Sequence, residues 1–547
     1  MNLLENDGRD FATLHADFSW DIPARFNIAN WTVDRHQDDV STAIFYETYG
    51  GNERHYTFAE LHRLANKWAN VLLGLGVVAG DRVAIVLPQR PETAIAHLGA
   101  YKMGAVALPL AVLFGPEALE YRLRDSGAKL VITDQPHAEM IEVIKADLPS
   151  LKLIVQCDVD APGRNFWQLL EKSSDGFKTL QTEADDPALL IYTSGTSGPP
   201  KGALLPHRAL IGNLTGFEMS QNFFPQSNDV FWTPADWAWT GGLIDALLPS
   251  LVYARPIVAY HGGKFDPERA LRLCEKYQVT NAFIPPTALK MIRQIRDIPE
   301  TFGLKLRAIM SAGEQVGEEL IAWGQEVFNV EINEMWGQTE FNYLVGNCSA
   351  IMPVRPGSMG KPYPGHHVEP IDEAGQPVAI GETGELAARI TGDPVMFLGY
   401  WNNEEAKQNK ICGDWLCSGD IGRRDEDGFL WFVGRKDDVI SSAGFRIGPG
   451  EIEDCLLKHA AVAQVAVIGK PDEMRGEIVK AFIVPAEGVK PSAKLSREIQ
   501  ETVRTRLSAH EYPREVEFVT ELPMTTSGKV RRVELREREI AKQSDAD

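Results

Sequence analysis

A repeated succession of a helix-spaced apolar stripe and a short, wholly apolar run sets the strongest limit on how this chain can fold. Over residues 57–75, Phe58, Leu61, Leu64, Ala65, Trp68, Val71 and Leu72 recur at helical spacing, and Thr57 with Glu60 reads as a capping box. Gly80-Asp81 then leads into Arg82-Val83-Ala84-Ile85-Val86-Leu87, which reads as a buried strand. The unit returns at 117–125 before Leu130-Val131-Ile132, and at 267–277 before Ala282-Phe283-Ile284. Alternation of this kind predicts layered α/β subdomains, their sheets covered by helices. A chain of 547 residues is too long for one core, so at least two domains are expected. The pattern changes after residue 436. Apolar runs at 465–468 and 479–484 flank a polar turn, followed by a helical stretch at 496–507 and another strand at 516–519. They predict a small α+β domain of residues 437–547 after a large domain of 1–436, with 541–547 as a polar tail.

The formal net charge of −21 argues against a duplex nucleic-acid binder, yet a few cations and backbone amides can still make a local anion site. Six scattered cysteines without a Cys-x-x-Cys pair give no zinc or disulfide framework and suit a reducing cytoplasm. The first residues lack the basic start and apolar run of a signal peptide. The most apolar region, 243–258, is broken by Asp245, Pro249 and Pro256, so it reads as buried core and no membrane span is expected.

The segment Leu190-Ile191-Tyr192-Thr193-Ser194-Gly195-Thr196-Ser197-Gly198-Pro199-Pro200-Lys201-Gly202 carries the clearest chemistry. An apolar run stops at small hydroxyl and glycine residues and then presents one lysine. Such a loop can set backbone N–H groups and hydroxyls against phosphate oxygens, with Lys201 supplying charge. It is not a Walker A loop, because no Gly-Lys-Ser/Thr follows. Read alone, a flexible surface loop remains an alternative.

The segment closely resembles the phosphate loop of the adenylate-forming superfamily, and further likenesses follow in order along the chain. Ser311-Ala312-Gly313-Glu314-Gln315 and Glu334-Met335-Trp336-Gly337-Gln338-Thr339-Glu340 resemble the adenine-contacting segments. Ser418-Gly419-Asp420-Ile421-Gly422 resembles the element whose aspartate grips the ribose hydroxyls. Gly434-Arg435-Lys436-Asp437-Asp438 resembles the nucleotide-contacting arginine followed by the interdomain hinge, here Asp437. Pro523-Met524-Thr525-Thr526-Ser527-Gly528-Lys529 resembles the catalytic-lysine signature. The resemblance implies an acyl-CoA synthetase, most like the medium-chain enzymes, with ATP and coenzyme A as co-substrates. It also implies magnesium held by Thr193 and Glu340, and a carboxylic acid as the small-molecule partner. Homo-oligomerisation is left open. Taken singly, Asp420 could be a turn residue and Arg435 a surface partner of Asp437 and Asp438. Glu340 could cap its loop, and Lys529 could be a solvated lysine beside Arg531 and Arg532.

Activation of a carboxylate by attack on the α-phosphate joins two anions, so neutralising charge is the main task and no general base is required. By the resemblance, Lys529 bridges carboxylate and α-phosphate while Lys201 and Glu340 serve the phosphates and magnesium. For the second half-reaction the resemblance implies rotation about the hinge, bringing in Ala443, Gly444, Phe445 and Arg446, with Arg475, Tyr512 and Arg514 toward coenzyme A. Trp239 aligns with the family's acyl-contacting tryptophan, while packing is the expectation for at least two of Trp232, Trp237 and Trp239. In acetate-activating relatives the place of Gly337 holds a tryptophan; its absence here suggests room for several methylenes and a medium-chain or branched fatty acid. An aryl or short-chain acid, and transfer to a carrier-protein phosphopantetheine, stay open as alternatives.

Overall fold

The computed structural model describes residues 2–158, 163–193, 199–442, 445–472, 476–506, 511–525 and 529–544. Two compact units emerge, Met1–His367 with Arg389–Asp414, and Val368–Ala388 with Trp415–Asp547. Packing therefore divides the chain elsewhere than at residue 437, because 368–388 and 415–436 pack with the C-terminal segment. A packing division and a hinge are different properties, and the expectation for Asp437 concerns the second.

The first unit carries two sheets. In one, six strands run parallel: Thr42–Thr48, Ile257–His261, Phe231–Trp232, Asn281–Phe283, Ala308–Ala312 and Ile332–Gln338 are neighbours in that order. The antiparallel strands Phe341–Gly346 and Ser358–Pro362 continue it. In the other, Leu153–Gln156, Leu130–Thr133, Arg82–Val86, Val106–Pro109 and Pro187–Thr193 are parallel, and Lys201–Pro206 then folds back antiparallel.

The expected helix-then-strand units are present as the helices Phe58–Gly74, Pro116–Ser126 and Pro267–Lys276 and the strands that follow them. Thr57 caps the first, its hydroxyl accepting from Glu60 N at 3.1 Å. The stripe of that helix buries Phe58, Leu61, Ala65, Trp68, Val71 and Leu72. Trp68 lies so close to the helix Pro91–Lys102 that a Cβ at Gly99 would meet the indole at 2.5 Å. Only glycine lets the two helices approach there. Residues 243–258 are largely buried core, as their composition suggests, and include a π-helical turn, Leu243–Leu247.

In the second unit the strands Val462–Asp472 and Gly476–Pro485 pair antiparallel, and Glu515–Phe518 lies parallel to the latter. Ile440, Ile452, Val467, Val479, Ile483, Ile499 and Val503 form its core with the helix Ala493–Arg506. One sequence expectation fails here. Residues 541–544 are not tail but the last turn of a helix, Arg532–Ser544. Its apolar positions are few: Leu535 packs in a cluster with Ala466, Ile468 and Phe482, and ion pairs add to its hold, with the buried Glu539 accepting from Lys480 Nζ at 2.7 Å and half-buried Arg532 meeting Glu453 at 2.6 Å. Arg532 is thus packed, not part of a solvated basic run. Among the described residues no helix is long and apolar enough to cross a membrane.

Candidate active site

In open sheets of parallel strands, ligands bind where the strands end at their carboxyl side, because loops and unpaired backbone groups converge there. The first unit brings its sequence-singled residues to such ends. The strand Pro187–Thr193 ends at Thr193, and Lys201 begins the next strand directly opposite, with Thr193 and Lys201 paired in register. Lys201 of the expected phosphate loop is therefore fixed by strand pairing opposite Thr193. Thr193 Oγ1 donates to Lys201 O at 3.3 Å. Ser194, Gly195, Thr196, Ser197 and Gly198 lie outside the described residues.

Gly313, Glu314 and Gln315 follow the end of the strand Ala308–Ala312, and Gly313 adopts φ +95°, where a side chain would be strained. The parallel neighbour Ile332–Gln338 buries Glu334 and Met335, then half-exposes Trp336, Gly337, Gln338 and Thr339. Glu340 closes this turn, only 6% exposed. Its carboxylate is partnered: Tyr400 Oη donates to Oε1 and Lys410 Nζ stands 3.6 Å from it, while the backbone carbonyl of Glu340 accepts from Phe397 N at 2.9 Å. Lys410 also donates to Gln338 Oε1 at 3.2 Å.

Magnesium takes oxygen ligands and keeps several waters and phosphate oxygens of its own, so one or two protein oxygens suffice. Glu340 and Thr193 supply donors of that kind. The buried Glu340 carboxylate already faces a cation, Lys410, so a positive charge suits its surroundings. The residues fit the ion.

The strand Phe231–Trp232 leads at its carboxyl end into residues 233–239. Trp232 and Trp237 are core, 3% and 0% exposed, while Trp239 is half-buried with its ring edge-on to Phe114 at 5.9 Å. Beside it, burial pushes the Asp236 carboxyl up to about 6 against the lowering by Ala238 and Trp237 N–H groups. A Cβ at Gly337 would meet Tyr343 N at 2.7 Å and Asn342 C at 3.2 Å. The register shift between Trp336 and Gln338 lays the strand Phe341–Gly346 against Gly337, so main chain lies on its Cβ side.

Asn342 reaches inward to a polar cluster that sequence reasoning missed. Its Nδ2 donates to Asn213 Oδ1 at 2.8 Å and to Asp245 on the π-helical turn. Burial pushes the Asp245 carboxyl up to about 7, against the two asparagine donors.

In the second unit Asp420 and Arg435 face each other across paired strands, Trp415–Arg424 and Leu430–Arg435. Arg435 Nη1 donates to Asp420 Oδ1 at 2.7 Å, and Arg435 Nε is 3.5 Å from Asp437. Burial pulls the guanidinium down, but the Asp420 and Asp437 charges outweigh it and hold it above its ordinary value. Arg435 is thus a cross-strand partner of Asp420, more than a surface partner of Asp437. Glu385 steadies the same turn, accepting from Gly419 N at 2.9 Å and Lys436 Nζ at 2.8 Å.

Lys529 is exposed. Its backbone is pinned: Thr525 N donates to Lys529 O at 2.7 Å, and Lys529 N donates to Thr525 Oγ1 at 3.0 Å. Of the residues expected to meet coenzyme A, Ala443, Gly444 and Arg475 lie outside the described residues, and Phe445 and Arg446 begin the short strand Phe445–Ile447. Arg514 Nη1 donates to Tyr512 Oη at 3.1 Å, its guanidinium 5.0 Å from the ring centroid.

Tyr400, Lys410 and Glu385 contact site residues, yet each stands roughly 35 to 70 positions away in the chain and carries no local signal.

Residues 30–401 match the family model "AMP-binding enzyme", and 451–529 match "AMP-binding enzyme C-terminal domain". The chain is 37% identical over 528 residues to "Acetyl-coenzyme A synthetase" of Bacillus subtilis, covering 94% of this chain and 91% of that one. It is 33% identical to "Acyl-coenzyme A synthetase ACSM3, mitochondrial" of Rattus norvegicus, covering 97% and 93%. Among solved structures, the anthranilate CoA ligase AuaEII in complex with anthranoyl-AMP superposes with a TM-score of 0.86 at 30% identity, covering 96% and 99%.

Proposed function

We propose, for a chain that belongs to the AMP-binding enzyme family and is an AMP-forming acyl-CoA ligase, a medium-chain or branched fatty acid as the substrate. The observation that carries this reading is the half-buried Trp239, which packs with Phe114 on an apolar cluster that includes Leu110, Tyr192 and Ala238. An apolar acyl chain gains by leaving water for such surroundings. The likeness to the ACSM3 synthetase supports it. An aryl acid is the second reading, favoured by the edge-on pair of Trp239 and Phe114, which suits a ring, and by the likeness to a ligase holding anthranoyl-AMP.

In the first half-reaction a carboxylate oxygen attacks the α-phosphorus of ATP, the bond to the β-phosphate oxygen breaks, and pyrophosphate leaves. Lys201, fixed by strand pairing opposite Thr193, neutralises phosphate charge as it shifts toward the leaving group. Lys529 bridges the two anions, and as a point charge at their junction it favours the transition state over either separated partner. Asp420, oriented by Arg435, accepts from the ribose hydroxyls, while residues 313–315 and 334–339 contact adenine. Thr193 and Glu340 would hold magnesium, whose charge supplies further stabilisation at the phosphates. No residue need remove a proton, since the acid is already ionised.

In the second half-reaction the coenzyme A thiolate attacks the acyl carbon and AMP leaves. A turn about Asp437 withdraws Lys529 and presents Ala443, Gly444, Phe445 and Arg446, with Arg475, Tyr512 and Arg514 beside the nucleotide end of coenzyme A. The Tyr512 contact already holds Arg514 in place. We assign the enzyme to a reducing compartment such as the cytoplasm, where its six cysteines stay thiols.

Pyrophosphate release with C2 to C12 and aromatic acids, with and without coenzyme A, tests the assignment. A maximum between C6 and C10 with thioester formed supports it. A maximum at acetate or at an aromatic acid replaces the substrate class, and adenylate without thioester points to a carrier-bound acceptor.

A further inference from the structure

The segment that follows residue 390 in the first unit reaches both halves of the phosphate machinery. The strand Gly399–Tyr400 pairs antiparallel with Lys201–Pro206, with Tyr400 opposite Ala203. Leu398 N donates to Leu204 O at 2.8 Å and Trp401 N to Gly202 O at 2.7 Å, while Phe397 N donates to Glu340 O at 2.9 Å. Tyr400 therefore stands between the strand that begins with Lys201 and the turn that ends with Glu340. Its hydroxyl donates to Glu340 Oε1, and Lys201 Nζ lies 5.6 Å from the centroid of its ring, within reach of a cation–π attraction. Tyr400 is 7% exposed, so these contacts are shielded from competing water. On the other side, Lys410 Nζ is 3.6 Å from the same Glu340 oxygen, with 24% of its side chain exposed.

We propose that Tyr400 is a positioning residue for adenylation, tying the Glu340 carboxylate and the Lys201 ammonium into one register, and that Lys410 is the cation Glu340 gives up when magnesium enters. This rests on the reading of Glu340 as a magnesium contact. Tyr400 orients the carboxylate through one donated hydrogen bond and leaves its remaining lone pairs for a metal. Lys410 balances the buried charge meanwhile. A carboxylate left alone at this burial would be costly, and a long, partly exposed lysine can withdraw into water when a divalent ion replaces it. The two residues should then act with opposite sign: Tyr400 favours magnesium binding and Lys410 competes with it.

The test measures half-saturating magnesium for the intact enzyme in two ways. One is acid-dependent exchange between ATP and pyrophosphate. The other, independent of turnover, is the magnesium-dependent rise in thermal midpoint with α,β-methylene-ATP, whose α–β linkage cannot be cleaved. Tyr400→Phe keeps the ring and removes the hydrogen bond to a charged group, so half-saturating magnesium should rise about tenfold, while thioester formation from supplied acyl-AMP is unchanged. Lys410→Gln, which loses a weaker, partly exposed pair, should lower it about two- to fivefold. Glu340→Gln should raise it more than either. If Glu340→Gln moves neither readout, Glu340 is not the magnesium contact and the inference falls with that reading. If Glu340→Gln moves both but Tyr400→Phe slows exchange equally at every magnesium concentration, Tyr400 merely packs and its role is overturned. Lys410→Gln without a fall in half-saturating magnesium overturns the exchange of cations.

Discussion

The two compact units present their proposed catalytic groups in opposite ways. In the first, Lys201 starts a strand opposite Thr193 and Glu340 is buried among Tyr400, Lys410 and a backbone amide. In the second, Lys529 is exposed, its backbone bonded to Thr525. On the proposed roles, groups that hold the triphosphate and stay in place can be built into a sheet. A group that must withdraw before the second half-reaction is better placed where leaving costs little packing. Asp420 and Arg435 are the instructive middle case, locked to each other across paired strands although they share a unit with Lys529.

The sharpest way to break this contrast is Lys529→Ala. Adenylation should fall about 10²–10³-fold while thioester formation from supplied acyl-AMP stays within about threefold, and the thermal midpoint should not move. Stopped-flow pyrophosphate release and a melting curve check both; a matching loss in the two half-reactions would refute the division of labour. Asp420→Ala should do what Lys529→Ala does not, raising the KM for ATP about tenfold and also destabilising the fold by about 1–3 kcal/mol, because Arg435 loses its partner. Chemical denaturation with equilibrium ATP binding reads both, and undiminished stability would mean the pair is not structural. Gly337→Ala should cost about 1–3 kcal/mol, since its Cβ would press on Tyr343 N at 2.7 Å. Enlargement at 337 should therefore lower stability before it alters the choice of acid; a stable variant with shifted chain-length preference would support the open-pocket reading.

The smallest expected effect concerns pH. Burial raises the Asp245 carboxyl from 3.8 to about 7. The folded state thus binds its proton more tightly than the unfolded chain. The contribution is most favourable below about pH 4 and is lost as pH rises toward 7. Asp245→Asn, which keeps the oxygen that Asn342 and Asn213 donate to, should gain on the parent by about 1 kcal/mol or more between pH 5 and 8. Urea denaturation at the two pH values measures it, and a constant difference would show that Asp245 does not titrate there.

How far the sequence revealed all this depends on the kind of force involved. The helix–strand units were legible because a capped apolar stripe, as at 57–75, has a period that only one structure satisfies. Thr193 and Lys201 stand out in the sequence because small hydroxyls, glycine and a lysine lie close together in the chain, whereas Glu340 was singled out through the family resemblance alone. Tyr400, Lys410 and Glu385 were not legible, since a hydrogen bond between distant segments leaves no periodic trace. The helix Arg532–Ser544 escaped for a related reason: much of its hold is ionic, through Arg532, Arg536 and Glu539, and the single buried Leu535 makes no apolar stripe. The backbone beside Gly337 was not legible either, because a register shift between strands decides which backbone comes close.

Exchange of labelled pyrophosphate into ATP, run with magnesium and a single carboxylic acid but no coenzyme A, tests the central claim most directly. Acid-dependent exchange that disappears in Lys529→Ala is the expected result. Absence of exchange with every acid from C2 to C12 and with aromatic acids would contradict it.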